Sequence, residues 1–411
     1  IMSFASVFLL SKNYTNSEIG VILALSSIGA VILQPILADM VDKMEQKPLI
    51  LLTNIVAIGL IFGTASLYLF KMKSLTLTIV FITLAAFMSS LQPIVTSIAF
   101  HYSTARNPIN FGMSRSFGSV SYAAMTSILG AMVYKYGTNA IPTAGIIILF
   151  LLIASLLTTA SISKKAVIEA DIDNIDLNKM QKSQQKISLA EFIRRNKNFV
   201  IFSFAVMLIF FQNSVLNSYL IQILENVGGN SNQMGQLFSF MAVLELPGLF
   251  FFTQIRKKLS CQFMLKLSSV AFAFKIFLTY LAGSVSFIYI AFLFQLISFP
   301  LFLSSSVHLV DEVMDKNEAV KGQSLITSMM TLSTVFASFI GGFVLDLSGA
   351  SSLLLISSIL AIIGAIIVFV IIVMVMVMVF VSIMVWYGYG YGVSICQYYG
   401  IMVWLFVSIM V

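Results

Sequence analysis

Asn110-Phe111-Gly112-Met113-Ser114-Arg115-Ser116-Phe117-Gly118-Ser119-Val120-Ser121-Tyr122 opens an apolar segment that runs to Tyr134. Arg115 lies inside that segment, not at its edge. A charge in hydrocarbon is costly, so an intramembrane arginine normally faces a bundle interior or a water-filled cavity and has a function. Tyr122 follows two helical turns later and projects from the same face. The pair offers hydrogen-bond donors beside a flat ring, which suits a polar ligand. The plainer alternative is that Arg115 snorkels to the headgroups, since His101 and Arg106 precede it closely.

Composition sets the class. The chain has 411 residues, 59% hydrophobic and 9% charged, with a mean hydropathy of +1.01. No water-soluble core could hide so much apolar surface, so the chain reads as an integral membrane protein. A net charge of +7 would suggest nucleic acid in a soluble protein. Here it fits loop lysines facing anionic lipid, and no nucleic-acid partner is expected. Cys261 and Cys396 make no disulfide framework, and His101 and His308 are too few and too far apart for a metal site. No cofactor is expected. The chain opens on Ile1, and its first span is expected to be cut short.

A spanning helix needs about 20 apolar residues. The sequence offers a short segment at 1–10 and full ones near 18–41, 48–70, 75–100, 111–134 and 140–161. After a polar stretch at 162–197 come six more, near 198–224, 233–255, 261–282, 285–308, 322–345 and 350–373. The expected architecture is therefore all-α: an N-terminal bundle over 1–161, a linker over 162–197 and a C-terminal bundle over 198–373. Lys43, Lys47, Arg106, the linker bases, Arg256, Lys257, Lys258, Lys266, Lys316 and Lys321 fall on one side. Only Lys12, Lys71, Lys73 and Lys135 fall on the other. The positive-inside rule makes the linker side cytoplasmic, with both termini there. Within the linker, Ser188-Leu189-Ala190-Glu191 is a capping box, and 188–197 is expected to form a short amphipathic helix on the inner membrane surface.

The halves echo each other. Ser17-Glu18-Ile19-Gly20 enters the second segment and Asn232-Gln233-Met234-Gly235 the eighth. Gly130 to Gly137 closes the fifth segment, and Gly342 to Gly349 closes the eleventh with the same spacing. A six-helix repeat is what alternating-access transporters are built from, with the site at the midplane between halves. The tail over 374–411 is anomalous: Met-Val alternation, a Tyr-Gly repeat and a returning Phe-Val-Ser-Ile-Met-Val block make it low-complexity.

The ionisable residues placed mid-span are Arg115 in the first half and Glu245 and Lys275 in the second. A membrane carboxylate beside a cation is a natural proton- or ligand-binding group, because burial disfavours its charge and the cation restores it. The alternative is a static Glu245–Lys275 pair gluing neighbouring helices. Pro247, two residues on, would interrupt the local ladder and could hinge it, or be a tolerated kink. Gln34, Gln92, Gln212, Asn213, Asn217, Gln222, Gln295 and Gln323 add a polar lining, with Asn213 and Asn217 on one face. Such a lining suits a ligand rich in hydroxyls, although some of these residues will only stitch helices together.

On these residues the chain resembles the major facilitator superfamily, and within it the oligosaccharide:proton symporter branch that contains lactose permease. The similarity runs from Ile1 to about residue 370. Gln34-Pro35-Ile36-Leu37-Ala38-Asp39-Met40-Val41-Asp42-Lys43 resembles the superfamily's gating loop, with Ala38 where a glycine is usual. Phe111-Gly112, Arg115, Phe117-Gly118 and Tyr122 resemble the branch's fifth-helix sugar motif, with Tyr122 in place of a tryptophan. Glu245 falls at the eighth-helix coupling glutamate and Lys275 at a ninth-helix arginine tied to proton release. The chain departs from the branch at Thr96 or Ser97, at Gln295 and Ser298, and at Asn213, Asn217 and Met330, where the branch carries charges or a histidine.

The resemblance implies two six-helix bundles related by a pseudo-two-fold axis. It implies a monomer in the cell membrane that moves a small polar solute, a sugar or nucleoside, driven by a proton gradient. Arg115, Tyr122, Glu245, Asn213, Asn217 and Gln295 would bind the solute; Glu245 and Lys275 would couple protons; Asp42 and Lys43 would gate. The alternatives are a drug or metabolite exporter, or a transport-inactive membrane protein. An intramembrane enzyme is not expected, since no His-Glu-x-x-His, serine–histidine set or paired aspartates occurs within the spans.

Overall fold

A computed structural model describes residues 2–42, 46–101, 111–167, 189–314 and 318–391. Within these ranges the side chains at 38–39, 41–42, 46–49, 92–93, 96–101, 111–116, 159–167, 189–190 and 374–391 fall outside the description. The described backbone is helical, with no strand among these residues. In lipid every backbone polar group has to be satisfied within its own segment, which an open sheet edge cannot do.

The first half comprises a 3-10 turn Met2–Phe4, α1 (Ala5–Ser11), α2 (Asn16–Asp42), α3 (Gln46–Ser66), α4 (Leu75–His101), α5 (Phe111–Tyr136) and α6 (Ala140–Val167). The linker contributes α7 (Leu189–Arg195). The second half holds α8 (Lys197–Glu225), α9 (Ser231–Phe250), α10 (Phe252–Arg256), α11 (Cys261–Tyr280), α12 (Val285–Phe292), α13 (Phe299–Val313) and α14 (Ala319–Tyr391). These elements follow the expected spans within a few residues. Eight stretches of the described residues are long and apolar enough to cross a bilayer unaided. One of them, Ala319–Val373, contains two spans, because α14 breaks at Gly349 (φ +79°). The second half of that helix then continues to Tyr391, so the low-complexity tail extends the last span; residues 392–411 lie outside the described residues.

Two expectations are corrected. The tenth span is not one helix: α12 and α13 are separated by a 3-10 turn, Leu293–Leu296. The linker helix does not lie free on lipid. Phe192 is fully buried among second-half side chains, in a cluster with Phe199, Leu309, Val310 and Met314. Asn196, just after α7, donates from Nδ2 to Glu318 Oε2 at 2.8 Å, and Arg195 pairs with Glu191. An aromatic ring buried this completely is worth about 3 kcal/mol or more against alanine. Phe192→Ala is therefore expected to lower the melting temperature of the purified protein clearly, whereas an exposed interfacial residue would scarcely change it.

The halves meet along seams at the end remote from the linker. There α2 packs on the first limb of α14, α5 on α9, and α1 on α8. Glycines make the seams close. A Cβ on Gly235 of α9 would lie 2.8 Å from the Gly130 Cα of α5. A Cβ on Gly20 of α2 would lie 3.2 Å from the Gly342 Cα of α14. These are four of the six glycines of the sequence echo, each meeting its opposite number's partner as a two-fold axis requires. Polar groups close the same end. Asp346 on α14 accepts from the Asn16 and Ser17 backbone N–H groups at 3.1 and 2.7 Å. It also accepts from Asn16 Nδ2 at 2.9 Å and Ser17 Oγ at 2.6 Å. Orphan N–H groups at a helix start, together with the dipole, favour a carboxylate there. Gln222 Nε2 donates to Asn16 Oδ1 at 3.0 Å, and Ser6 Oγ donates to the Ser218 carbonyl.

Candidate functional site

Three side chains of the second half form a continuous polar chain. Lys275, on α11, donates from Nζ to Gln295 Oε1 at 2.8 Å. Gln295 in turn donates from Nε2 to Glu245 Oε1 on α9, also at 2.8 Å. Lys275 is completely buried and Gln295 is 1% exposed, while Glu245 is half-buried. The Lys275 ammonium also sits 5.2 Å from the centre of the Phe272 ring, a cation–π contact. The alternative of a direct Glu245–Lys275 pair is not what forms: a neutral amide stands between the charges. Its carbonyl end meets the cation and its N–H₂ end the anion, so each of its dipole ends is matched. Gln295, expected to line the solute path, is a buried linker.

Local sequence explains this meeting point. Gln295 sits on the 3-10 turn that splits the tenth span, and Pro300 opens α13 at a position where its missing N–H costs nothing. Gly248 on α9 lets that proline approach: a Cβ there would lie 2.7 Å from Pro300 Cγ. The contact holds the α9 limb carrying Glu245 against the turn carrying Gln295. Pro247 lies within α9, which ends at Phe250 and restarts as α10. Discontinuous helices at mid-membrane are where transporters build solute and ion sites.

From the first half, α5 faces this chain. α5 and α9 run antiparallel, registered by the Gly130–Gly235 contact. Tyr122 lies about 12 Å along α5 from that contact and Glu245 about 15 Å along α9, by the rise per residue, so they stand at one level. The Tyr122 phenol lies within the field of the Glu245 carboxylate, and its hydroxyl is 2.9 Å from Ser3 Oγ. Tyr122 is 40% exposed. Arg115 is on α5 about 22 Å from the glycine contact, over a turn nearer the linker than Glu245; its side chain lies outside the described residues.

The other predicted residues divide. Asn213 and Asn217 are one turn apart on α8, but Asn213 is buried and Asn217 exposed. Their neighbour Gln212 is fully buried, and its amide finds no partner among the described residues. Asp42 closes α2 with its side chain outside the described residues, and Lys43 lies outside them altogether. Sequence reasoning missed two groups. Ser3, which fixes the Tyr122 hydroxyl, carried no signal. Asp346, which lies outside the mid-span charges, ties the halves together.

Two helical bundles thus meet at α5 and α9, with the buried polar chain of the second facing the first. Residues 1–356 match the MFS_1 like family, and the chain belongs to that family. No curated protein matches the chain. Solved structures share the fold at low identity. A single-substitution mutant of the nucleoside transporter NupG is 14% identical, with 90% of this chain and 94% of that one covered and a TM-score of 0.72. NupG itself is 16% identical over 91% and 94%, with a TM-score of 0.68. A bacterial homologue of the iron transporter ferroportin in an inward-facing state is 13% identical over 90% and 93%, with a TM-score of 0.63. The protein is a multi-pass membrane transporter of the major facilitator fold.

Proposed function

We propose that the protein is a secondary active transporter of a small polar solute, a sugar or a nucleoside, driven by protons. The observation that carries this reading is the Glu245–Gln295–Lys275 chain at a broken helix, level with Tyr122 on the opposite half. A carboxylate at the interface can exchange a proton or a solute hydroxyl, while Lys275, reached only through the amide, supplies a fixed positive field. Arg115 and Tyr122 hold the solute from the first half, with Asn213 and Asn217 contributing from α8. The similarity in fold to a nucleoside transporter supports nucleosides as one candidate class, and the fifth-helix motif supports sugars. Asp42 and Lys43 act at the linker-side gate.

The positive-inside bias makes the linker end cytoplasmic. On that orientation the glycine seams and the Asp346 lock close the outer side, so the conformation is one that admits solute from within. Rocking of the halves about the midplane then requires the seams to part and Asp346 to release α2.

The test is thermal stabilisation of the purified protein against sugars, nucleosides and hydrophobic cations, since a ligand that binds the folded state raises its melting temperature. A sugar or nucleoside hit is expected, and Arg115→Lys is expected to weaken it by about tenfold or more, because an ammonium cannot replace a planar fork. Wild-type affinity in Arg115→Lys would return that arginine to a headgroup-anchoring role. Stabilisation by hydrophobic cations alone would replace this reading with an exporter.

A further inference from the structure

On the outer face of the second half, α11 and the last limb of α14 leave a groove of about 500 Å³. Its floor is Ala273 and Ala365; its walls are Phe274, Phe277, Ile366 and Phe369. Every wall residue is exposed, and the lining is wholly apolar. Two small residues facing each other between aromatic rings create a trough, where larger side chains would have interdigitated. The α11 residues that line it, from Val270 to Phe277, span about 10 Å of helix rise.

One turn beyond the groove, toward the linker end, stands Lys266. Its Nζ lies 5.7 Å from the centre of the Phe369 ring, so the ammonium overhangs the mouth. Among the described residues no carboxylate pairs with it. Lys257 and Lys258 are exposed at the same end. Adding that turn brings the distance from Phe277 to Lys266 to about 16 Å, close to half the ~30 Å hydrocarbon thickness. The groove therefore spans one leaflet, with its cation at headgroup depth.

We propose that this groove is a binding site for an anionic phospholipid of the linker-side leaflet. One acyl chain lies between α11 and α14, and the phosphate meets Lys266. Charge complementarity selects this occupant: a zwitterionic lipid would fill the trough equally well but gain less from the Lys266 ammonium. The site is distinct from the solute path, since it lies on the face that looks away from the other half.

The experiment is native mass spectrometry of the full-length protein with phosphatidylglycerol or phosphatidylcholine of matched chains. Wild type is expected to retain one phosphatidylglycerol in preference to phosphatidylcholine, with the preference weakening as salt rises. Lys266→Gln is expected to cut that preference about fivefold while leaving phosphatidylcholine retention unchanged. Ile366→Trp, a substitution on an exposed position, fills the trough and is expected to lose both lipids without unfolding the protein. Equal retention of the two lipids by wild type, or an unchanged preference in Lys266→Gln, overturns the proposal. So does a rise in lipid retention on truncation after Val373, which would make the chain's own tail the occupant. A dimer abolished by Ile366→Trp would overturn it in favour of a second copy.

Discussion

Glu245→Gln is expected to abolish uphill accumulation of solute in proteoliposomes, leaving at most equilibration. The substitution keeps the shape of the side chain and an oxygen that can still accept from Gln295 Nε2, so the hydrogen-bonded chain survives. What is lost is the negative charge that balances the fully buried Lys275. Breaking a buried ionic arrangement by removing one partner costs several kcal/mol; for a half-buried carboxylate acting through an amide, about 3 kcal/mol is the lower end. Glu245→Gln therefore carries a stability cost as well as a functional one. The double variant Glu245→Gln/Lys275→Met separates them. Removing both charges is expected to recover most of the melting temperature, because no stranded ion remains, and to recover none of the coupling. Uphill transport restored along with stability would make the chain a structural tie and overturn the coupling role proposed for it.

The apolar runs announced the helices, because about 20 such residues have few alternatives in a membrane. The breaks were less visible. Leu293–Leu296 is as apolar as its flanks apart from Gln295, and only Pro300 hinted that one span was two pieces. Glu245 and Lys275 stood out as charges in hydrocarbon, whereas Gln295 looked like every other amide in an apolar segment. Its placement between them depends on the approach of α9 to α13 at Gly248 and Pro300, a tertiary fact. Phe192 was misplaced for a similar reason. A short amphipathic helix has the same sequence pattern whether its apolar face meets lipid or protein, and here it meets the second-half core. The glycine echo showed which positions correspond between halves but not that corresponding positions cross over, so that Gly20 meets Gly342 and Gly130 meets Gly235.

That crossing leads to the second large effect. Gly235→Trp is expected to prevent the closure observed at the linker-distal end and to stop turnover. A Cβ at 235 would already meet Gly130 Cα at 2.8 Å and the Thr126 carbonyl, both backbone, so no rotamer change can relieve it. The helices have to separate, and an indole widens the gap further. Overpacking of this kind costs about 1–3 kcal/mol in an ordinary core, and here a second arrangement of the halves is available that avoids it. Conformers of one protein typically differ by a few kcal/mol, so a penalty of about 3 kcal/mol moves their ratio by about 100-fold. Paired spin labels at the distal ends of α5 and α9 are expected to report a distance several ångströms longer than in the unsubstituted protein, with transport reduced to background. Gly20→Trp, on the symmetry-related seam between α2 and α14, is expected to do the same, because a Cβ there meets Tyr219 Oη at 2.8 Å and the Gly342 Cα at 3.2 Å. Asp346→Asn acts on the same end: it removes the charge from the start of α2 and replaces one acceptor oxygen with an N–H₂ group that cannot accept from the Ser17 or Asn16 N–H, so it is expected to shift the same equilibrium by about 1 kcal/mol or more. If both tryptophan variants transport at the normal rate with unchanged label distances, the glycine seams are permanent packing and the halves move about some other contact.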